Sequence, residues 1–144
     1  MKILIFVYTC TAYEKTRALL QENSWAKDNL DVLFVTDNPN SILKNNIYLG
    51  AYTKSWYLKD PFICKKILQV CLEQRFFYYD FYMITDDDSY LFIDRLKEFL
   101  SFFDTDKPFF IGDYYWMLKS DSWLQHDYKW AAGGCGYVFT KPTI

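Results

Sequence analysis

The sequence predicts a single α/β domain, residues 1–144, built around a mostly parallel central sheet. Predicted strands and helices alternate along the chain, and this order is typical of parallel sheets. Several predicted strands are apolar at consecutive positions, as expected for strands that are buried on both faces. A chain of 144 residues that is 51% hydrophobic can bury one core but is too short for two comfortable domains.

The first half of the chain contains three predicted strands and one predicted helix. Apolar residues run without alternation through the first strand, and the helix carries Ala18, Leu19 and Leu20 among charged residues. Turn-forming residues, Asn38-Pro39-Asn40, end the second strand, and Gly50 closes the third. The four predicted elements are a strand over 2–9, a helix over 13–24, a strand over 31–37 and a short strand over 47–49.

The second half is predicted to begin with a helix at Asp60-Pro61, where Asp caps the helix and Pro occupies its first position. A buried strand follows, and it runs directly into three consecutive aspartates. The predicted apolar stripe of the helix that begins at Asp60-Pro61 comprises Ile63, Ile67, Val70 and Cys71. The later elements are a strand over 81–84, a helix over about 91–102, and strands over 109–111 and 137–139.

Charge and composition exclude some classes of protein. The net charge is -2 and the 16 basic residues are scattered, which argues against a nucleic-acid partner and against a polybasic membrane surface. The sequence has no run of about 18 apolar residues, so no membrane span is expected. Four cysteines without a C-x-x-C pair, Cys10, Cys64, Cys71 and Cys135, are expected to be reduced core thiols, and the chain as given is expected to be cytoplasmic.

Asp86, Asp87 and Asp88 follow directly on the buried strand over 81–84. Adjacent carboxylates repel one another, and a divalent cation removes that cost. Asp86 and Asp88 project to the same side of an extended chain, so both can face one ion, and oxygen ligands favour Mn²⁺ or Mg²⁺. The alternative is a solvated acidic turn in which one Asp caps the next helix. Ligands of parallel sheets bind beyond the carboxyl ends of the strands, where Thr9 and Asp37 are also predicted to lie.

A glycine-rich segment, Gly133-Gly134-Cys135-Gly136, precedes the last predicted strand. Glycines allow the backbone to approach a ligand closely, but taken alone the segment is better explained by a tight turn into the strand. The segment is neither a Walker loop nor a G-x-G-x-x-G motif. His126 is expected to be a surface residue rather than a metal ligand.

Six separated signals together resemble the Fringe-like, or family 31, inverting glycosyltransferases, which include the core 1 β1,3-galactosyltransferases and the Fringe N-acetylglucosaminyltransferases. They keep the order of that family's motifs and span residues 7–137, nearly the whole chain. Cys135 stands where the family's GGAG-aromatic loop has alanine. The matching positions are Val7-x-Thr9 with Arg17 and Trp25, Phe34–Asp37, Lys66, Asp86–Tyr90, Phe110–Gly112 and Gly133–Tyr137.

The resemblance implies a Rossmann-like GT-A fold and transfer of a hexose or N-acetylhexosamine from a UDP-sugar to a glycan or glycoprotein, with Mn²⁺ or Mg²⁺. It places Thr9 and Arg17 by the uridine diphosphate, Asp37 by the nucleoside, and Asp86 and Asp88 on the metal. The remaining donor-site residues that it implies are Lys66, Asp87, Gly133, Gly134 and Gly136. Trp25 is expected to be a core residue at the helix end.

The sequence departs from the family's pattern at its end. In the family the general base is an acidic residue downstream of the glycine loop, so it is expected beyond Ile144, and the chain is expected to be a C-terminally truncated part of a longer catalytic domain. Relatives often carry a Golgi anchor. Two alternatives remain: a non-catalytic UDP-sugar- or glycan-binding module, and a Mg²⁺-dependent phosphoryl-transfer or hydrolase domain.

Overall fold

A computed structural model describes residues 1–50, 65–73, 75–117, 128–131 and 136–144. Its main feature is a six-stranded mixed sheet, in which β1, β2, β3 and β4 are mutually parallel and β8 runs antiparallel to both of its neighbours. The strand order is β3-β2-β1-β4-β8-β5. These strands are β1 (Ile3–Tyr8), β2 (Val32–Thr36), β3 (Asn46–Tyr48), β4 (Phe81–Asp86), β5 (Phe110–Gly112) and β8 (Tyr137–Thr140).

In the described part of the chain three helices accompany the sheet, and a short 3₁₀ helix, Lys141–Thr143, follows β8. The first, α1, begins as a π-helical turn, Glu14–Ala18, and continues as the α-helix Leu19–Glu22. The second, α2, is helical over 65–71, and the third, α3, spans Ile93–Leu100. None of the helices in the described part of the chain has the length and apolar content needed to cross a membrane.

Alternate side chains of β1 pack in two separate cores, one on each face of the sheet. Ile3, Ile5 and Val7 belong to the core that also contains Ala18 of α1 and Leu100 of α3. Leu4 and Phe6 belong to the second core, which is completed by Ile67, Val70 and Cys71 of α2. Burial on both faces explains why the strand is apolar at every position, and it confirms the predicted α/β, Rossmann-like class.

Most predicted elements match the described structure to within one or two residues. Two observed strands were not predicted: β6 (Tyr114–Met117) and β7 (Tyr128–Ala131), which form a small antiparallel pair. Strands of four residues are too short to show a clear periodicity, although their Tyr and Trp content favours strands. The predicted start of α2 at Asp60-Pro61 and the stripe residue Ile63 lie outside the described residues.

Candidate functional site

The ends of β1 and β4 carry a linked set of four side chains. Thr9, just after β1, donates its hydroxyl hydrogen to Oδ2 of Asp87 at 2.6 Å. The Nη1 nitrogen of Arg17, on α1, lies 3.5 Å from Oδ1 of Asp87 and 3.1 Å from Oδ2 of Asp88. Because β1 and β4 are adjacent and parallel, their carboxyl ends meet at the same edge, which brings together residues 78 positions apart in the sequence.

Asp87 and Asp88 differ in their surroundings. Asp87 is buried, and burial raises its pKa above the ordinary value, although the Thr9 hydrogen bond and the charge of Arg17 act in the opposite direction. The Asp88 side chain is 56% exposed. Asp87 therefore acts as the anchored member of the pair, and Asp88 presents its carboxylate to solvent.

Four residues at every fourth position of the α1 region point to this edge. The guanidinium carbon of Arg17 lies 4.1 Å from the ring centre of Tyr13, a cation–π contact. Gln21 Nε2 and Trp25 Nε1 donate to the carbonyl oxygen of Ser89, at 2.9 and 3.2 Å. These two hydrogen bonds hold the turn that follows β4 against the α1 region. Of the four, sequence reasoning missed Tyr13 and Gln21, and the spacing of four was the signal that could have found them.

Trp25 was predicted to be a core residue, and it does pack against the core that contains Ala18 and Leu100. Leu20, in contrast, is exposed, whereas Gln21 and Glu14 of the same helix are buried. The π-helical turn at the start of α1 offsets the side chains that follow it from an ordinary helical periodicity.

Glu14 forms a second buried polar cluster at the end of β2. Its carboxylate accepts hydrogen bonds from the Thr36 hydroxyl at 2.6 Å and from Asn38 Nδ2 at 2.8 Å. Burial alone would raise the pKa of Glu14, but these bonds, with others from Ser41 and the backbone of Ile42, lower it below the ordinary value. Sequence reasoning missed this residue, because a charged side chain on a short helix is normally solvated.

Asp37 and Lys66 are positioned by other elements than the aspartates: Asp37 directly follows β2, and Lys66 lies on α2. Asp37 Oδ1 accepts hydrogen bonds from the backbone N–H and the hydroxyl of Thr11, at 2.7 and 2.9 Å. Lys66 donates from Nζ to the carbonyl oxygen of Leu49, directly after β3. Because β3 and β4 are three strand spacings apart, Leu49 is about 14 Å across the sheet from the aspartates.

Gly136 packs against β4. Its φ is +87°, and a Cβ atom would lie 2.7 Å from Met83 Cε and 3.0 Å from the carbonyl oxygen of Ile84. Glycine is therefore required for packing at this position, whatever else it contacts. Gly133, Gly134 and His126 lie outside the described residues.

Two cavities lie beside Arg17, Asp87 and Asp88, whose side chains contribute to the lining of both. The first has a volume of about 60 Å³, and the second has a volume of about 290 Å³. The first is also lined by Tyr8, Thr9, Cys10, Tyr13 and Asp86. The second is also lined by Thr16, Leu20, Gln21, Ser24, Trp25, Ser89 and Tyr90.

The carboxylate oxygens at the end of β4 could hold a metal ion that is also bound by a substrate phosphate. Among the described residues, no three His, Cys, Asp or Glu side chains form a group that could hold a metal ion by themselves. Asp86 and Asp88 nevertheless supply hard carboxylate oxygens at the end of β4, and Mg²⁺ is commonly held by one or two carboxylates together with substrate phosphates. The donor set therefore fits a cation shared with a phosphate ligand, rather than one enclosed by protein.

Comparison with known proteins identifies the family. The family model described as Fringe-like matches residues 1–144. The chain belongs to the Fringe-like family. This confirms the resemblance seen in the sequence motifs.

One relative of this Fringe-like chain is a β-1,3-glucosyltransferase of Mus musculus. The two are 25% identical over 149 residues, and the match covers 99% of this chain. The chain spans 28% of the length of that relative.

Proposed function

We propose that this chain is the nucleotide-sugar-binding part of a metal-dependent inverting glycosyltransferase. The donor is a UDP-sugar, the transferred group is a hexose or N-acetylhexosamine, and the acceptor is a hydroxyl of a glycan or glycoprotein. One observation carries the proposal: Arg17 and Thr9 hold Asp87 and Asp88 together beside a cavity at the carboxyl ends of β1 and β4. Family membership and the glucosyltransferase relative support the same reaction class.

The residues of this site have distinct proposed roles. Arg17 contacts both carboxylates through Nη1 alone, and a guanidinium has five N–H donors, so it can bind a diphosphate in the first cavity while holding Asp88. Asp88 and Asp86 would hold Mn²⁺ or Mg²⁺, and Thr9 keeps Asp87 in place behind them. When bound, the cation neutralises negative charge that develops on the leaving diphosphate.

The transfer itself is a displacement at the anomeric carbon. The acceptor oxygen forms the new bond, the bond to the diphosphate oxygen breaks, and UDP leaves with that electron pair. The proton of the acceptor hydroxyl passes to a general base. Asp37 follows β2, the strand next to β1, and accepts hydrogen bonds from Thr11. We propose that it faces the nucleoside.

Calorimetric titration of UDP into the purified chain, with Mn²⁺ or with a chelator, tests the proposal. We expect binding that requires the metal and an affinity that falls by about tenfold or more in Asp88→Asn, because one metal ligand loses its charge. Asp94→Asn, an exposed carboxylate on α3, is the matched control and should bind UDP as the wild type does.

Four outcomes bear on the candidate functions. Metal-dependent UDP binding together with release of UDP from a UDP-sugar in the presence of acceptor supports the transferase. Binding of UDP without turnover by this chain is expected of the non-catalytic module and equally of a transferase part whose general base lies elsewhere. A folded chain that does not bind UDP with Mn²⁺ contradicts both, and release of inorganic phosphate instead of UDP favours a phosphoryl-transfer domain.

A further inference from the structure

The turn over residues 86–89 connects the two proposed metal ligands. Asp86 is the last residue of β4, and Asp88 follows inside the turn. The hydrogen bond within the turn, from the Ser89 N–H to the Asp86 carbonyl oxygen, is long at 3.4 Å. A bond of this length holds a turn weakly. The positions of the Asp86 and Asp88 carboxylates therefore depend on what else contacts the turn.

Gln21 of α1 reaches both ends of this turn with one amide nitrogen. Its Nε2 lies 2.9 Å from the carbonyl oxygen of Ser89 and 3.4 Å from that of Asp86. Trp25 Nε1 donates to the same Ser89 oxygen at 3.2 Å. Because an amide nitrogen carries two N–H donors, Gln21 can hold both ends of the turn at once. The α1 region thus fixes the backbone on both sides of Asp88.

The amide oxygen of Gln21 lacks such a partner. Gln21 is only 6% exposed, yet within the described part of the chain no donor forms a hydrogen bond with its Oε1. A buried acceptor without a donor is unfavourable, and an apolar side chain of similar size would avoid that cost. Stability alone therefore does not explain an amide at position 21. What the amide supplies is a pair of donors directed at the turn.

We propose that Gln21 is a positioning residue for the cation: it acts through the turn over 86–89 and holds the Asp86 and Asp88 carboxylates in place for one ion. The inference rests on the proposed function. Mg²⁺ and Mn²⁺ favour octahedral coordination by oxygen, and with two proposed protein ligands a small shift of the turn misplaces both. Groups that orient metal ligands without touching the metal typically change metal affinity by about 10- to 100-fold.

Calorimetric titrations of UDP at a series of Mn²⁺ concentrations test the proposal on the purified chain. Gln21→Met keeps the length of the side chain but removes both donors. We expect the Mn²⁺ concentration at which the association constant of UDP reaches half its limiting value to rise about tenfold. The UDP affinity at saturating Mn²⁺ should stay within about twofold of the wild type. Because the unpaired Oε1 is removed with the amide, the melting temperature without metal should change by less than about 4 °C.

Three further variants sharpen the test. Trp25→Phe keeps an aromatic ring but removes one donor to the same turn, and it should raise the Mn²⁺ requirement by about two- to threefold, since Gln21 still holds the Ser89 oxygen. Gln69→Met, at an exposed glutamine of α2, is the matched control and should behave as the wild type. Ile67→Val lowers stability in the core beneath α2 and should leave the Mn²⁺ requirement unchanged.

The inference is overturned if neither Gln21→Met nor Trp25→Phe raises the Mn²⁺ requirement. It is also overturned if Gln21→Met weakens UDP equally at every Mn²⁺ concentration, because the damage then lies in the nucleotide pocket rather than at the cation. An equal rise in Ile67→Val would mean that stability alone is responsible, which overturns it as well. A wild-type chain that does not bind UDP, or binds it without Mn²⁺, would instead contradict the proposed function.

Discussion

Glu14 and Asp87 are both buried carboxylates at the same edge of the sheet, but their pKa values shift in opposite directions. Glu14 accepts hydrogen bonds from Thr36 and Asn38 at the end of β2, and these bonds lower its pKa despite burial. Asp87 lies beside Thr9 and Arg17 at the end of β4, and there burial prevails and raises the pKa.

The difference separates a structural carboxylate from one in the proposed donor site. Hydrogen bonds from neighbouring donors outweigh the effect of burial on Glu14, so this carboxylate ties α1 to the loop after β2 without any ligand. The charge of Asp87 is only partly compensated, although Arg17 is adjacent. Asp88, next to it, adds further negative charge. A cation at this edge would supply the compensation that the protein itself leaves incomplete.

The largest expected effect is on stability, in Glu14→Gln. The carboxylate accepts from Thr36, Asn38, Ser41 and the backbone of Ile42, whereas an amide can accept through one oxygen only. We expect the free energy of unfolding to fall by about 2 kcal/mol, since buried donors lose a charged acceptor. Urea denaturation measures this change.

Glu73→Gln is the matched control for that measurement. Glu73 is an exposed partner of Arg75, so we expect its replacement to change the free energy of unfolding by less than about 0.5 kcal/mol. If Glu14→Gln costs no more than Glu73→Gln, Glu14 does not stabilise the loop after β2 and the contrast with Asp87 is wrong.

A smaller loss of stability is expected in Asp87→Asn. The asparagine oxygen can still accept the Thr9 hydrogen bond, Arg17 keeps Asp88, and the substitution removes a charge whose burial is unfavourable. The expected decrease in the free energy of unfolding is below about 1 kcal/mol, measured by urea denaturation without metal. A decrease as large as that of Glu14→Gln would mean that both carboxylates are structural.

The fold followed from the sequence because its strongest signal is local. Residues 3–7 are apolar at every position, and only a strand covered on both faces buries them all. The sequence also predicts that Thr9 and Asp87 lie close together, because the carboxyl ends of adjacent parallel strands lie at the same edge of the sheet. The pair β6 and β7 could not be predicted in the same way, because each strand has only four residues.

The contacts of α1 were harder to predict than the strands. An amphipathic pattern assigns leucine to the core and charge to solvent, yet Leu20 is exposed and Glu14 is buried. The π-helical turn, together with hydrogen-bond partners in distant loops, decides which side chains of α1 face the interior. Neither can be seen in the local sequence pattern. Gln21 likewise owes its burial to the carbonyl oxygen of Ser89, 68 positions later in the sequence.

The smallest expected effect is the pH dependence that Glu14 contributes. Its pKa in the folded chain is below the ordinary value of 4.5, so the unfolded chain binds more protons between these two values. The stabilisation is therefore complete above the unfolded pKa and is lost as the pH falls through the folded pKa. Because glutamine does not titrate, the difference in unfolding free energy between wild type and Glu14→Gln should be constant near neutrality and shrink in acid.

Urea denaturation of both proteins from about pH 7 to about pH 3 measures the difference, and the contributions of the other carboxylates cancel to first order in the comparison. A difference that grows as the pH falls would mean that the folded pKa of Glu14 is raised, as burial alone would make it, and the two carboxylates would then be alike.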